Sequence, residues 1–468
     1  MSSIMELADR ATCFGLFVSP PRRQRFVYHS QNRCRESVDL WLALPRVRPG
    51  QQDICVEFVQ KLPVGVYAIS GADSFEEVHD LSQVLNEPES IDKINAVARF
   101  RIGSKERLKL TCTYEASAVQ LAALADRSKL EREGWSVATS NVHLGSAERE
   151  YYLRSTRFVQ KDSAVEREAR RIADMDVDAS SAVEPAEALV CAARLFDCLT
   201  TTRYRYAWPP ARRGSSAMRE TRVGDCGSYS CLMTAWCRSI GIPARVLIGS
   251  WARGRGQGHA WNEIHIDGIG WIPVDATVAS AMKRDPGEYD GWLDRPPGLM
   301  KRSGDEFFGG VDRGRLVFSV EMEPHSLPGY TEVGAKPEDG EHSFDAGMEW
   351  GRGLMGGKVP YMQPAYPRVG RDVEGTCGLR ETWRFTAALP HRIAGFIAAA
   401  SVLFGCSLLG AQILRTDSIF SAEIDPLLIL GLFAIFGLAR ATTGHNRRLN
   451  YVVAVILVGA IVLRVIGP

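Results

Sequence analysis

Several things are scarce in this chain of 468 residues. Net charge is one: 56 Lys and Arg against 55 Asp and Glu leave only +1. The basic excess by which proteins hold polyanions is missing, so nucleic acid is not an expected partner. Cysteine is thin and odd in number, eleven without dense spacing, which argues against a disulfide framework and for a reducing compartment. No secretory signal is expected either, because Glu6, Asp9 and Arg10 surround an apolar stretch of only six residues, Cys13 to Val18. Internal repeats are lacking. What is present is the composition of a folded chain, 45% hydrophobic and 24% charged, with length for about three structural units.

Charge is scarce in a second sense near the end. From Ile393 to Pro468, 76 residues carry eight charges, gathered between apolar runs. Ile393 to Leu414 is 22 residues without a charge, enough at about 1.5 Å per residue to span a hydrocarbon layer of about 30 Å. Pro426 to Ala439 and Leu449 to Leu463 are shorter, although a snorkelling Arg464 would lengthen the last. A membrane anchor of two or three transmembrane helices over 393–468 is expected, with the lipid bilayer as partner; a buried helical hairpin fits the first run less well. Arg380, Arg384 and Arg392 precede the first run, and Arg440, Arg447 and Arg448 lie between the second and third. The loop between the first two holds Asp417, Glu423 and Asp425 against Arg415. With three spans both basic flanks share one side, and the soluble part is expected to face the cytoplasm. A re-entrant middle run would separate them.

Residues 1–150 read as strand-rich. Ser37 to Leu44, Asp53 to Val59, Ala96 to Ile102 and Leu108 to Tyr114 alternate wholly or in part, with turns at Pro49-Gly50 and Gly103-Ser104. A β-sandwich without a catalytic constellation is expected there. Helices follow: Ser163-Ala-Val-Glu166 reads as a capping box, and Ser181-x-x-Glu184 with Pro185 repeats the start signal. Cys191 and Cys198 ride on the apolar stripe of the second helix and read as core. Pro328 to Gly375 holds ten Gly and five Pro in 48 residues; the segment 328–392 reads as a linker, in part wrapped over the soluble domain.

Chemistry concentrates between Gly224 and Thr277. In Gly224-Asp-Cys-Gly-Ser-Tyr, Asp225 suits a helix N-cap and Gly241 followed by Pro243 a stop. Tyr229, Met233, Trp236 and Ile240 define a buried face, and Cys226 shares it in the first turn. The positive end of a helix dipole lowers a thiol pKa from about 8.5 toward neutrality. Cys231 and Cys237 lie deeper in the helix and read as core. Strand-like runs follow at 244–250, 259–266 and 270–276. If the last two form a hairpin about Asp267-Gly268-Ile269, His259 and Asp275 become neighbours. A helix-borne Cys, a strand-borne His and an adjacent Asp make a nucleophile, a base and a group that fixes the imidazole. His265 shares the face of His259 but lies about 20 Å along the strand and reads as structural. A zinc site using Cys226, Cys231, Cys237 and a His is the rival, but spacings of five and six fit no CxxC knuckle.

Taken together, Gly224-Asp-Cys226-Gly, Gly241-Ile-Pro-Ala-Arg245-Val, His259-Ala-Trp261-Asn-Glu263 and Gly270-Trp-Ile-Pro-Val-Asp275-Ala-Thr resemble the transglutaminase-like superfamily in order and spacing. The resemblance covers about 151–320. It implies a papain-like α+β catalytic domain over 151–327, with Cys226 as nucleophile, His259 as base and Asp275 as orienter, and no cofactor or metal. Members pass an acyl group from a carboxamide through a thioester to water or an amine, so the expected activity is cleavage of protein or peptide substrates. Glutamine–lysine crosslinking is the close alternative, and a non-catalytic, membrane-tethered interaction module the alternative from another class. An oxyanion site would use the Cys226 backbone N–H and a donor from the loop Tyr204 to Arg222, where Tyr206 and Trp208 are candidates. That loop is basic, with Arg203, Arg205, Arg212, Arg213, Arg219 and Arg222, and reads first as solvated.

Overall fold

A computed structural model describes residues 14–321 except 33–37, 72–73, 139–142, 157, 178–182, 184, 208–213, 252–257 and 285–303, followed by the strand segments 325–326, 358–359, 366–368 and 379–386. Of the chain's two compact units, all of these belong to the one formed by Met1–Pro286 and Asp294–Thr386. The other, Gly287–Leu293 with Ala387–Pro468, lies outside the described residues.

Among the described residues ten strands precede residue 138: β1 (Phe14–Val18), β2 (Arg22–Asn32), β3 (Val38–Leu44), β4 (Gln51–Phe58), β5 (Gly65–Ile69), β6 (Phe75–Glu77), β7 (Asn95–Ile102), β8 (Arg107–Ala116), β9 (Val119–Ala123) and β10 (Ser136–Val137). The four strands expected from alternation are β3, β4, β7 and β8 within a few residues. In β8 the alternation is regular, with Leu108, Leu110, Cys112, Tyr114 and Ala116 all buried. Short helices α1 (Leu81–Asn86), α2 (Arg127–Arg132) and α3 (Ser146–Leu153) interleave.

The next stretch is helical: α4 (Ser163–Ala173), α5 (Pro185–Leu199), α6 (Ser215–Thr221) and α7 (Cys226–Ser239), with a small parallel pair β11 (Arg205–Tyr206) and β12 (Val223–Gly224). The α4 cap differs from expectation. Asp162 caps the helix, accepting from the backbone N–H of Ala164 (2.9 Å) and Val165 (2.8 Å), while Glu166 accepts from Arg170 Nε at 3.1 Å. A carboxylate one residue earlier meets the helix dipole better than the Ser163 hydroxyl. The second capping signal, at 181–184, falls at residues outside the description, and α5 begins at Pro185, the preferred first helical position.

Three antiparallel strands and a fourth from further on make the central sheet: β13 (Ala244–Trp251), β14 (Gly258–Ile266) and β15 (Gly270–Val274), then α8 (Ala276–Arg284), β16 (Gly310–Val311) and β17 (Arg315–Val320), in the order β15-β14-β13-β17. Helix α7 lies on β13 and β14. It is not amphipathic as expected: every residue from Cys226 to Arg238 is buried, because the sheet, α4, α5, α6 and α8 pack around it.

Beyond β18 (His325–Ser326) and β19 (Lys358–Val359), the strands β20 (Tyr366–Arg368) and β21 (Leu379–Thr386) return to the amino-terminal sheets, which run β21-β2-β8-β4 and β20-β3-β7-β5-β6 and share one apolar cluster. The segment 328–392 is therefore more than a spacer. Strand β21 pairs with β2 from Arg25 opposite Thr386 to Asn32 opposite Leu379. Nor does residue 150 separate two cores: Leu316 and Phe318 of β17 sit in the amino-terminal cluster, Phe318 with its ring centroid 5.3 Å from that of Phe26. Among the described residues no helix is long and apolar enough to cross a membrane. The runs expected to form the anchor lie outside them.

Candidate active site

Topology brings three element ends together. A short turn joins α7 to β13, and β13, β14 and β15 are successive antiparallel neighbours. The chain reverses at each step, so α7 and β14 run the same way, and the start of α7, the start of β14 and the end of β15 share one end of the sheet. Asn262 pins this arrangement. Its amide donates to the Ser230 carbonyl at 2.8 Å and to Thr234 Oγ1 at 2.7 Å, tying mid-β14 to α7. Cys226 occupies the first position of α7 and is buried; Asp225 is the N-cap, its carboxylate accepting from Ser228 N–H at 3.0 Å.

The hairpin about 267–269 forms as expected, with Asn262 opposite Val274. His259 and the position after Val274 thus become diagonal neighbours on one face. Nε2 of His259 lies 2.7 Å from Oδ2 of Asp275, both side chains buried. The other carboxylate oxygen, Oδ1, accepts from Val278 N–H at 3.1 Å and caps α8, so Asp275 serves the helix and the imidazole at once. The imidazole stacks on Trp251 (centroids 4.8 Å, 23°) and on Trp261 (5.7 Å, 20°), which restricts rotation of the ring.

A residue that the sequence did not mark also enters. Arg315, first in β17, donates from Nη1 to Asp275 Oδ2 at 2.6 Å and from Nε to Asp312 Oδ2 at 3.1 Å. Burial alone would raise the Asp275 carboxyl, but His259 and Arg315 outweigh it and hold it well below the usual carboxylate range. Burial likewise opposes the Arg315 charge, and Asp275 and Asp312 more than restore it. A charged residue heading an otherwise apolar strand, Arg-Leu-Val-Phe-Ser-Val, was the available signal.

The remaining candidates fall elsewhere. His265 is buried at the far end of β14, its ring edge-on to Trp271 at 5.2 Å. Burial pushes the thiols of Cys191, Cys198 and Cys237 up; Cys191 and Cys237 are core as expected, whereas Cys198 is only half-buried. Among the described residues no group of three or more His, Cys, Asp or Glu is placed to hold a metal ion. Tyr206 is exposed on β11 and pairs opposite Gly224, which sets the preceding loop beside the start of α7; Trp208 lies outside the described residues. Arg203, Arg205 and Arg222 are exposed. Two further motif residues prove to be partners: Arg245 and Glu263 face each other across β13 and β14 and pair at 2.7 Å, and Glu263 also takes Arg48 at 2.7 Å.

No curated protein matches this chain. Among solved structures, it is similar to a candidate cysteine protease from Cytophaga hutchinsonii (15% identity, 65% of this chain and 83% of that one, TM-score 0.36). It is also similar to the periplasmic domain of TgpA from Pseudomonas aeruginosa bound to ethylmercury (16% identity, 59% and 93%, TM-score 0.29). The family model of the transglutaminase-like superfamily matches residues 176–276, which span α5 to the start of α8 and hold Cys226, His259 and Asp275. The chain thus contains a transglutaminase-like core.

Proposed function

We propose that this protein is a thiol enzyme that cleaves peptide or amide bonds through a thioester, with Cys226 as nucleophile, His259 as base and Asp275 as orienter. The observation that carries the reading is the 2.7 Å contact of His259 Nε2 with Asp275 Oδ2 at the end of the sheet where α7 begins with Cys226. With Nε2 committed to the carboxylate, Nδ1 is the ring atom that serves the thiol. The thiol proton passes to Nδ1 and Sγ adds to the amide carbonyl, with the oxyanion stabilised by the Cys226 backbone N–H at the helix start. As the C–N bond breaks, the imidazolium gives its proton to the departing amine. Water, deprotonated by His259, then adds to the thioester and releases the acid and the thiol. The uncharged run from Ile393 to Leu414 supports anchoring of this enzyme to a membrane, and the basic flanks Arg380, Arg384, Arg392, Arg440, Arg447 and Arg448 support a cytoplasmic side for its soluble part; release of the chain by alkaline carbonate would contradict the anchoring.

The test is cleavage of a peptide library by the full-length chain and by C226A, each with and without a primary amine. The reading expects acid products, lost in C226A by at least about a thousandfold. Equal turnover by C226A would move the nucleophile elsewhere, and amide products formed only with amine would turn the enzyme into a transamidase.

A further inference from the structure

Arg315 is placed unlike a surface arginine that merely staples a strand. Its guanidinium bridges two buried carboxylates, Asp275 through Nη1 (2.6 Å) and Asp312 through Nε (3.1 Å). Its third nitrogen, Nη2, is buried without a hydrogen-bond partner among the described residues. Aromatic faces surround it instead: its Cζ lies 4.5 Å from the Trp251 ring centroid, 5.0 Å from Trp261 and 5.9 Å from Phe307. Trp251 and Trp261 are the two rings on which His259 stacks. One cation therefore touches Asp275, Trp251 and Trp261, three groups that restrain the imidazole.

We infer that Arg315 is a positioning residue for the thiol chemistry, holding the Asp275 carboxylate and the Trp251 and Trp261 rings against His259 and setting the proton balance between imidazole and thiol. The inference rests on the thiol-enzyme reading above. Asp275 Oδ2 receives two donors, Nε2 of His259 and Nη1 of Arg315, and Oδ1 receives Val278 N–H. A carboxylate so occupied stays anionic and does not take the imidazole proton, so His259 keeps the proton it must later deliver. The positive charge also favours thiolate over thiol. Among the described residues, the charged and titratable groups in contact with Arg315 or with its Asp275 carboxylate are Asp275 itself, just after β15, Asp312 before β17 and His259 on β14.

The experiment is the rate of Cys226 alkylation by iodoacetamide from pH 4 to 10, followed by peptide mass spectrometry on the full-length chain, R315Q, R315K and H259A. Loss of the cation in R315Q is expected to move the limbs of the profile to higher pH by about half a unit or more. R315K keeps the charge without the planar fork; its limbs stay within about 0.3 unit of the parent while its plateau rate falls severalfold. Folded R315Q with unmoved limbs overturns the inference, as does R315K with the parent's plateau; R315K alone decides if R315Q fails to fold. A parent profile that H259A leaves unchanged overturns the thiol-enzyme reading instead, so the two failures are told apart.

Discussion

At the scale of single residues, Asp275 carries the heaviest electrostatic load. It is buried, it caps α8, and its carboxylate is shared by the His259 ring and the Arg315 guanidinium. Because its folded pKa lies below the unfolded value of about 3.9, its stabilising effect is complete above that value and is lost as pH falls toward the folded one. D275N removes the charge and leaves Arg315 buried against a neutral amide, at a cost of about 3–5 kcal/mol near neutrality. Urea unfolding midpoints of parent and variant should therefore differ most at pH 6–7 and converge as pH drops from 4 to 2. A gap independent of pH would show that the ion pair is not what the substitution removes.

At the scale of elements, packing between strands decides how well the imidazole is held. Gly249 of β13 pairs opposite His259. A methyl group added there would lie 2.3 Å from the Leu316 carbonyl oxygen and 2.7 Å from the Trp261 ring. Either β17 or Trp261 must move, and both contact the His259 surroundings. G249A is expected to cost about 1–3 kcal/mol of stability from overpacking and to slow turnover at least about tenfold through the displaced ring. Thermal unfolding and steady-state cleavage would read the two effects separately, and an alanine variant with full turnover would contradict this packing argument.

Much of this element architecture was legible from local signals: the Asp225 cap, the three strand runs, the tight turn at 267–269 and hence the meeting of His259 with Asp275 all follow from residues close in sequence. What escaped depends on distant partners. The role of Arg315 is visible only once β17 joins β13, forty residues after Asp275. The full burial of α7 comes from helices packed on it, and the four-residue capping signal at 163–166 does not show that Asp162 displaces Ser163.

At the scale of the whole molecule, the amino-terminal strands and the transglutaminase-like core are joined by charge as well as by apolar packing. Arg48 meets Glu263 at 2.7 Å and Glu89 meets Arg245 at 2.9 Å, all four side chains buried. The guanidinium of Arg245 lies 3.9 Å from the Trp271 ring centroid; against the opposing effect of burial, Glu89 and Glu263 hold Arg245, and Asp275 and Asp312 hold Arg315, above the ordinary value. Such a network penalises any rearrangement that strands one charge, and so fixes the sheet from which the candidate residues project. The sequence patterns of Arg245 and Glu263 were recognisable, whereas their partners 48 and 89 lie in a region that showed no chemistry of its own.

The proposed chemistry requires that α7, β14 and the end of β15 deliver thiol, imidazole and carboxylate to one place. The most direct measurement is the pH dependence of Cys226 carboxymethylation in the native chain against H259A, with the modified residue identified by mass spectrometry. The native thiol should titrate well below the ordinary value of about 8.5, and H259A should return it toward that value and slow the reaction at neutral pH by at least about tenfold. A native thiol titrating near 8.5, with the same profile in H259A, would contradict the account.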